Sequence, residues 1–155
     1  RSCASLERPV MYQTILVPLD NSWADDTILN HVKTLARLMG SRLILLHVAD
    51  GMVARNQEQL NLDDSDEIRG DRRYLEERRA GLAGEGFEVS ARLACGNPTD
   101  HIVSVAAEEH CDLIAMSTHG HRLIKDVVLG SVASAVRHRT DVPVLLVRAS
   151  KPRSV

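Results

Sequence analysis

Residues 97–120, NPTDHIVSVAAEEHCDLIAMSTHG, hold in one passage the two patterns that decide the fold. Asn97 followed by Pro98 opens a helix, with Asn97 as N-cap, Pro98 at the first helical position, and Ile102, Val105 and Ala106 recurring on an inner face. Leu113-Ile114-Ala115-Met116 is then a short, continuous apolar run, the kind that a strand covered on both faces requires. A helix that feeds a two-sided buried strand is half of a parallel strand–helix–strand unit.

The same alternation extends outward in both directions. Thr14-Ile15-Leu16-Val17-Pro18-Leu19 and Leu43-Ile44-Leu45-Leu46-His47-Val48 read as two more buried strands. Between them Ile28, Val32, Leu35, Ala36 and Met39 recur at helical spacing, with Ser22 or Asn21 able to cap the start and Gly40 placed to end the helix left-handed. Phe87 to Leu93 alternates, which suits a strand at a sheet edge. Ser131 to Thr140 reads as a last helix, with Arg137, His138 and Arg139 at the end that favours cations, and Val144 to Val147 reads as a fifth strand. Five strands separated by helices predict an α/β fold on a parallel sheet. The charged stretch from Gly51 to Gly84 reads as a mobile loop to about Asp64, then an exposed helix with Ile68, Leu75 and Leu82 on one stripe.

Composition fits a single globular domain over residues 11–150, with 151–155 as a tail and 1–10 as a tag remnant or upstream extension ahead of Met11. The 155 residues are 44% hydrophobic and 26% charged, enough for a core without disulfides or metal. Nineteen basic against 21 acidic residues leave a net charge of −2, which supplies no broad field for nucleic acid or an anionic membrane. Aromatics at 3% offer no base-stacking platform. Cys3, Cys95 and Cys111 form no CxxC pair, and Cys111, ahead of an apolar run, reads as a small buried hydrophobe. No stretch reaches the 18 or more apolar residues of a membrane span, and the first ten residues lack a signal-peptide core, so a cytoplasmic location is expected.

Chemistry concentrates where the fourth strand ends: Met116-Ser117-Thr118-His119-Gly120, nine residues, then Gly130-Ser131. Open parallel sheets bind ligands beyond the carboxyl ends of their strands, where the strand order reverses. Gly130 and Ser131 open the last helix, whose free N–H groups and dipole favour an anion, and a glycine there admits a phosphate without a Cβ in the way. The Ser131 hydroxyl can bond a phosphate oxygen or cap the helix. Asp20, following the first strand, can accept from a ribose hydroxyl or cap the next helix. Arg122 and Lys125 either neutralise phosphate or are solvated surface. His119 and His121 lack the carboxylate or cysteine partners of a metal site, so no protein metal site is expected. His47, within an apolar strand, reads as a hydrogen-bonded core histidine. No GxxxxGK[ST], GxSxG, HExxH or GxGxxG is present, and Ser22 has no evident base to make it a nucleophile.

The pieces ILVPLD, LILLHV, MSTHG, LGSV and PVLLV, in this order and spacing, resemble the universal stress protein family from Tyr12 to Arg148, departing in the Gly51–Gly84 stretch. The resemblance implies a three-layer α/β sandwich of the adenine nucleotide alpha-hydrolase-like kind, with a five-stranded parallel sheet of order 3-2-1-4-5. It also implies a homodimer through the last strand, and such pairing would cover an apolar edge. The family's nucleotide-binding branch carries Gly-x2-Gly-x9-Gly-Ser/Thr and holds ATP. Here the second and third glycines fall on Gly120 and Gly130, followed by Ser131, and the first is replaced by Ser117. If that position needs a positive φ, serine costs roughly 1 kcal/mol, and if it needs only smallness serine is harmless. By the same resemblance Asp20 and Val48 contact ribose or adenine, Pro18 and Leu19 wall the pocket, Met116 lies near the base, and Val132 lies near the phosphates, which His119 or His121 can also touch. ATP, with any Mg²⁺ carried on its phosphates, is the implied cofactor of a regulatory or stress-response protein. A slow ATPase on the same site, and a non-catalytic dimer whose site is empty or holds AMP or a cyclic nucleotide, are the alternatives.

Overall fold

The computed structural model describes residues 11–49, 66–118 and 130–149. In chain order these give β1 (Thr14–Leu19), α1 (Ala24–Met39), β2 (Arg42–Ala49), α2 (Asp66–Gly84), β3 (Val89–Cys95), α3 (Pro98–Glu108), β4 (Leu113–Ser117), α4 (Ser131–Arg139) and β5 (Val144–Val147). The strands make one parallel sheet in the order β3-β2-β1-β4-β5, as expected. The order turns at β1: the chain winds outward to β2 and β3, then returns to set β4 and β5 on the other side.

Period-two alternation along the strands divides the core into two layers. Ile15, Val17, Leu19, Leu43, Leu45, Leu113 and Ala115 pack against Ile28, Leu29 and Val32 of α1 and Leu75 and Leu82 of α2. Leu16, Ile44, Leu46, Ile114 and Met116 pack the other way, against Ile102 and Val105 of α3 and Ala133 and Val136 of α4. The result is a three-layer sandwich. Ile15, Leu16, Leu43, Ile44, Leu45, Leu46 and Ile114 are wholly excluded from solvent. Each such side chain contributes about 1.5–3 kcal/mol on burial, so β1, β2 and β4 carry most of the core. Cys111 is buried as read from sequence, and burial pushes its thiol up to about 11.

Local signals behave as the sequence suggests at most element ends. Gly40 closes α1 at φ 70°, its N–H returning to the Ala36 carbonyl at 2.8 Å. Asn97 accepts the Asp100 N–H at 3.0 Å with Pro98 behind it, and Gly96 makes the preceding corner at φ +130°. Two ends differ. β3 begins two residues later than the alternation predicts, because the Phe87 N–H still bonds the Leu82 carbonyl and Gly86, at φ +94°, makes the exit from α2. The expected cap of α1 also takes another form. Trp23 holds the N-cap position, the Ser22 Oγ accepts the Ala24 N–H at 3.2 Å, and Asn21 sits left-handed at φ 58° with its amide turned to α2.

The Asp112 carboxylate accepts the N–H groups of Gln13 and Thr14 at 2.8 and 2.9 Å, fixing the start of β1 beside the start of β4. The β1–β4 ladder then registers only Ile15 with Leu113 and Leu16 with Ile114, although both strands run on for three more residues. The ladder stops short of Pro18, which has no N–H to give to it. Among the described residues no helix is long and apolar enough to cross a membrane. The loop expected up to about Asp64 lies outside the described residues.

Candidate functional site

The strand order reverses at β1 and β4, and α/β proteins of this topology take their ligands in the crevice beyond the carboxyl ends of such strands. On one side β1 ends at Leu19 and the chain turns through Asp20 and Asn21 into α1. On the other, β4 ends at Ser117, the Thr118 N–H bonds the Val147 carbonyl at 3.0 Å, and α4 starts from Gly130. The first full helical bond of α4 runs from the Ser134 N–H to the Gly130 carbonyl at 3.0 Å. No side chain among the described residues caps this helix, and Ser131 is exposed rather than folded back as a cap. Its first N–H groups and the positive end of its dipole are therefore open to an anion.

Gly130 repays closer inspection. Its φ of −53° and ψ of 142° are open to any residue, and among the described residues an added Cβ would meet only the Thr118 carbonyl oxygen, at an ordinary 3.7 Å. The described fold does not require glycine here. Ser117 likewise lies in β4, paired with Val147, and has no positive φ, so serine in the motif's first glycine position carries no backbone strain.

The remaining sequence-designated residues fall in three groups. Asp20 is exposed at the corner, Ser117 is half-buried, and Gly130, Ser131 and Val132 open α4. Pro18, Val48 and Met116 belong to the α3–α4 side of the sheet, Met116 buried and the other two half-buried. The Leu19 side chain is turned to the opposite core layer, so what it presents to the corner is its carbonyl. His119 and Gly120, with His121, Arg122 and Lys125, lie outside the described residues.

Beneath the corner is a polar network that the sequence reading did not assemble. The His47 Nδ1 lies 2.9 Å from the Leu19 carbonyl oxygen and its Nε2 lies 3.2 Å from the Asp71 carboxylate. The carbonyl can only accept, so Nδ1 donates to it and Nε2 is left facing the Asp71 carboxylate. Asn21 donates its amide to the other Asp71 oxygen at 3.3 Å. Asp25, 1% exposed, accepts the Asp20 N–H at 3.1 Å and the Tyr74 hydroxyl at 2.6 Å. Burial raises its pKa from 3.8 to about 6, with the Asp20 charge adding and its two donors opposing. Burial and the Asp25 charge together push the Tyr74 hydroxyl well above its ordinary value. The legible signals were Asp25 in line with Ile28, Leu29 and Val32, and Asp71 between Ile68 and Leu75: carboxylates on apolar stripes.

Among the described residues no group of three or more His, Cys, Asp or Glu could hold a metal ion. A cavity of about 530 Å³ lies away from this corner, at the opposite strand ends and the second half of α1, lined by Tyr12, Leu35, Leu38, Leu113, Val144 and Leu145 among others. Its lining is largely apolar, with Tyr12, His31 and Thr34 as its polar side chains, and it lies at the amino ends of the strands, so the crevice, not this cavity, is the candidate ligand site.

A parallel sheet of order β3-β2-β1-β4-β5 with helices on both faces defines a doubly wound α/β protein. Residues 11–148 match the universal stress protein family. Universal stress protein MJ0577 of Methanocaldococcus jannaschii is 30% identical, over 90% of this chain and 96% of its own length. A universal stress protein of Methanothermobacter thermautotrophicus is 34% identical over 89% and 97%. A solved structure of MJ0577 superposes with a TM-score of 0.80 at 33% identity, covering 92% of this chain and 99% of that one. The chain belongs to the universal stress protein family. Two solved universal stress proteins of the same fold, each 24% identical, are complexes with cAMP (TM-score 0.65, 90% of this chain, 98% of that one) and, from Archaeoglobus fulgidus, with dAMP (0.63, 88% and 98%).

Proposed function

We propose that this protein binds an adenine nucleotide in the crevice between β1 and β4 and acts as a nucleotide-dependent regulatory or stress-response protein. The observation that carries the reading is the start of α4, uncapped by any described side chain, at a glycine the described fold does not require, after the strand that neighbours the one leading into Asp20. In this reading the N–H groups of Gly130, Ser131 and Val132 take the phosphates, with the hydroxyls of Ser117 and Ser131 beside them. The Asp20 carboxylate accepts from the ribose, while Pro18, Val48 and Met116 face the base and the Leu19 carbonyl holds the corner. His119 and Gly120 complete the phosphate side by their place in the motif. The nucleotide is ATP, its Mg²⁺ borne on the phosphates. That relatives of this fold are complexes with cAMP and dAMP supports the adenine class.

The protein works in the cytoplasm as a homodimer paired through β5, whose half-buried Val144–Val147 edge such pairing would cover. Sedimentation at decreasing concentration tests this, and a stable monomer at micromolar concentration would defeat it. The nucleotide reading is tested on protein purified without added nucleotide, by denaturing it, identifying released small molecules by mass spectrometry, and titrating the emptied protein with Mg·ATP, AMP and cAMP. Near-stoichiometric ATP or a saturable Mg·ATP titration supports the proposal. An empty protein that ignores all three at millimolar concentration overturns it. Phosphate release above a blank, lost on changing Ser131, would add hydrolysis to binding.

A further inference from the structure

The start of α1 is held by one face of α2. Asp71, Tyr74 and Arg78, spaced to share that face, meet Asn21, Asp25 and Asp26 in turn. Among these contacts Asp25 is singular, a carboxylate 1% exposed that reaches back from the first turn of α1 to the backbone of the residue proposed to meet the ribose. We propose that Asp25 is a positioning residue for the nucleotide site: ionised, it ties the Asp20 N–H to the Tyr74 hydroxyl and so sets the corner from which Asp20 meets the ligand, and losing that charge weakens binding. The proposal rests on the nucleotide reading above.

Chemistry dictates the direction. An ionised Asp25 accepts from both donors, and a protonated one must turn an oxygen into a donor. That takes away one of its two acceptor contacts, to the Asp20 N–H or to the Tyr74 hydroxyl, and so loosens the corner from which Asp20 meets the ligand. The charged groups around Asp25 are Asp20 from the corner, Tyr74 from α2, Arg78 over the Tyr74 ring and paired with Asp26 on its own turn, and, beyond Asn21, the His47–Asp71 pair between β2 and α2. Burial places the titration of Asp25 near pH 6, so binding tightens as pH rises through that value.

Two readouts test it. The Asp20 amide resonance, followed by NMR from pH 4.5 to 8 without ligand, is expected to titrate near pH 6, to lose that step in Asp25→Asn, and to move it upward in Tyr74→Phe. A resonance with no step, or one that survives Asp25→Asn, overturns the proposal whatever the ligand. Calorimetry with Mg·ATP at pH 5 and 7.5 is expected to show affinity falling on the order of threefold to tenfold at the lower pH relative to Asp25→Asn, tenfold being one pKa unit of coupling. Comparison with the variant cancels the nucleotide's own titration. An amide that titrates with no difference in affinity overturns the positioning role, whereas no binding at any pH by either protein overturns the nucleotide reading and with it the positioning role, leaving only the hydrogen-bonded tie.

Discussion

Replacing Gly130 by aspartate sets stability and binding against each other. The backbone at φ −53° and ψ 142° accepts a side chain, and the Cβ would stand 3.7 Å from the Thr118 carbonyl oxygen, an ordinary contact. Aspartate is a better N-cap than glycine by a few tenths of a kcal/mol. Its charge at the helix start adds about 0.3–1 kcal/mol, and the stiffer unfolded chain adds about 0.4–1 kcal/mol. Gly130→Asp should therefore be more stable by about 1 kcal/mol, or roughly 2–4 °C in Tm for a chain of this size. The same carboxylate would lie about 5 Å from a phosphate seated on α4, where like charges cost about 3 kcal/mol at an effective dielectric of 20, and it would occupy the N–H groups as well. Affinity for Mg·ATP should fall by about a hundredfold or more, since every 1.4 kcal/mol is a factor of ten. Calorimetric titration and a thermal melt of the same preparation read both quantities. Binding within threefold of the parent would refute the phosphate placement. A variant that loses several degrees of Tm would refute the claim that the fold leaves this position free.

The other predictions concern the buried network and the core. Asp25→Asn should stabilise the protein at pH 7: the folded chain holds the Asp25 proton to about 6 against 3.8 when unfolded, so this group's contribution is greatest below pH 4 and falls by about 3 kcal/mol as pH rises past 6. Less about 1 kcal/mol for a weakened hydrogen bond, the gain is about 2 kcal/mol at pH 7 and vanishes at pH 4, as urea unfolding at both values would show. His47→Leu strands the buried Asp71 carboxylate and releases the Leu19 carbonyl, with an expected loss of about 3–5 kcal/mol by the same assay. Ile114→Ala, at a wholly buried position in β4, should cost about 2–5 kcal/mol, and a loss below 1 would contradict the packing described.

The sheet was legible because β1, β2 and β4 are buried on both faces and spell that out as unbroken apolar runs, which nothing else of that length imitates. β3 was placed less well. At the edge its residues are half-buried apart from the exposed Ser90, so the alternation of Phe87 to Leu93 did not mark where the turn after α2 gave way to strand. The strand order could not come from periodicity, which is blind to neighbours, and entered only through the resemblance. At the site, Gly130 and Ser131 announced a helix start, but whether glycine served the fold or something outside it needed the φ and the room around a Cβ. The Asp25–Tyr74 and His47–Asp71 contacts join residues 49 and 24 positions apart, and no local pattern encodes such partners. Only the misfit of each carboxylate on its apolar stripe pointed to them.

The shortest ladder in the sheet has a mechanical consequence. β1 registers six pairs with β2, β2 seven with β3, and β4 four with β5, but β1 meets β4 through two alone. Both core layers run across that seam, Ile15 and Val17 packing with Leu113 and Ala115 on one face of the sheet and Leu16 with Ile114 and Met116 on the other. Asp20 follows β1 and Gly130 lies between β4 and β5, so a molecule touching both would be a stitch across the join with the fewest rungs. Its first physical signature would be slowed hydrogen exchange in the β1–β4 ladder, before any change elsewhere in the sheet.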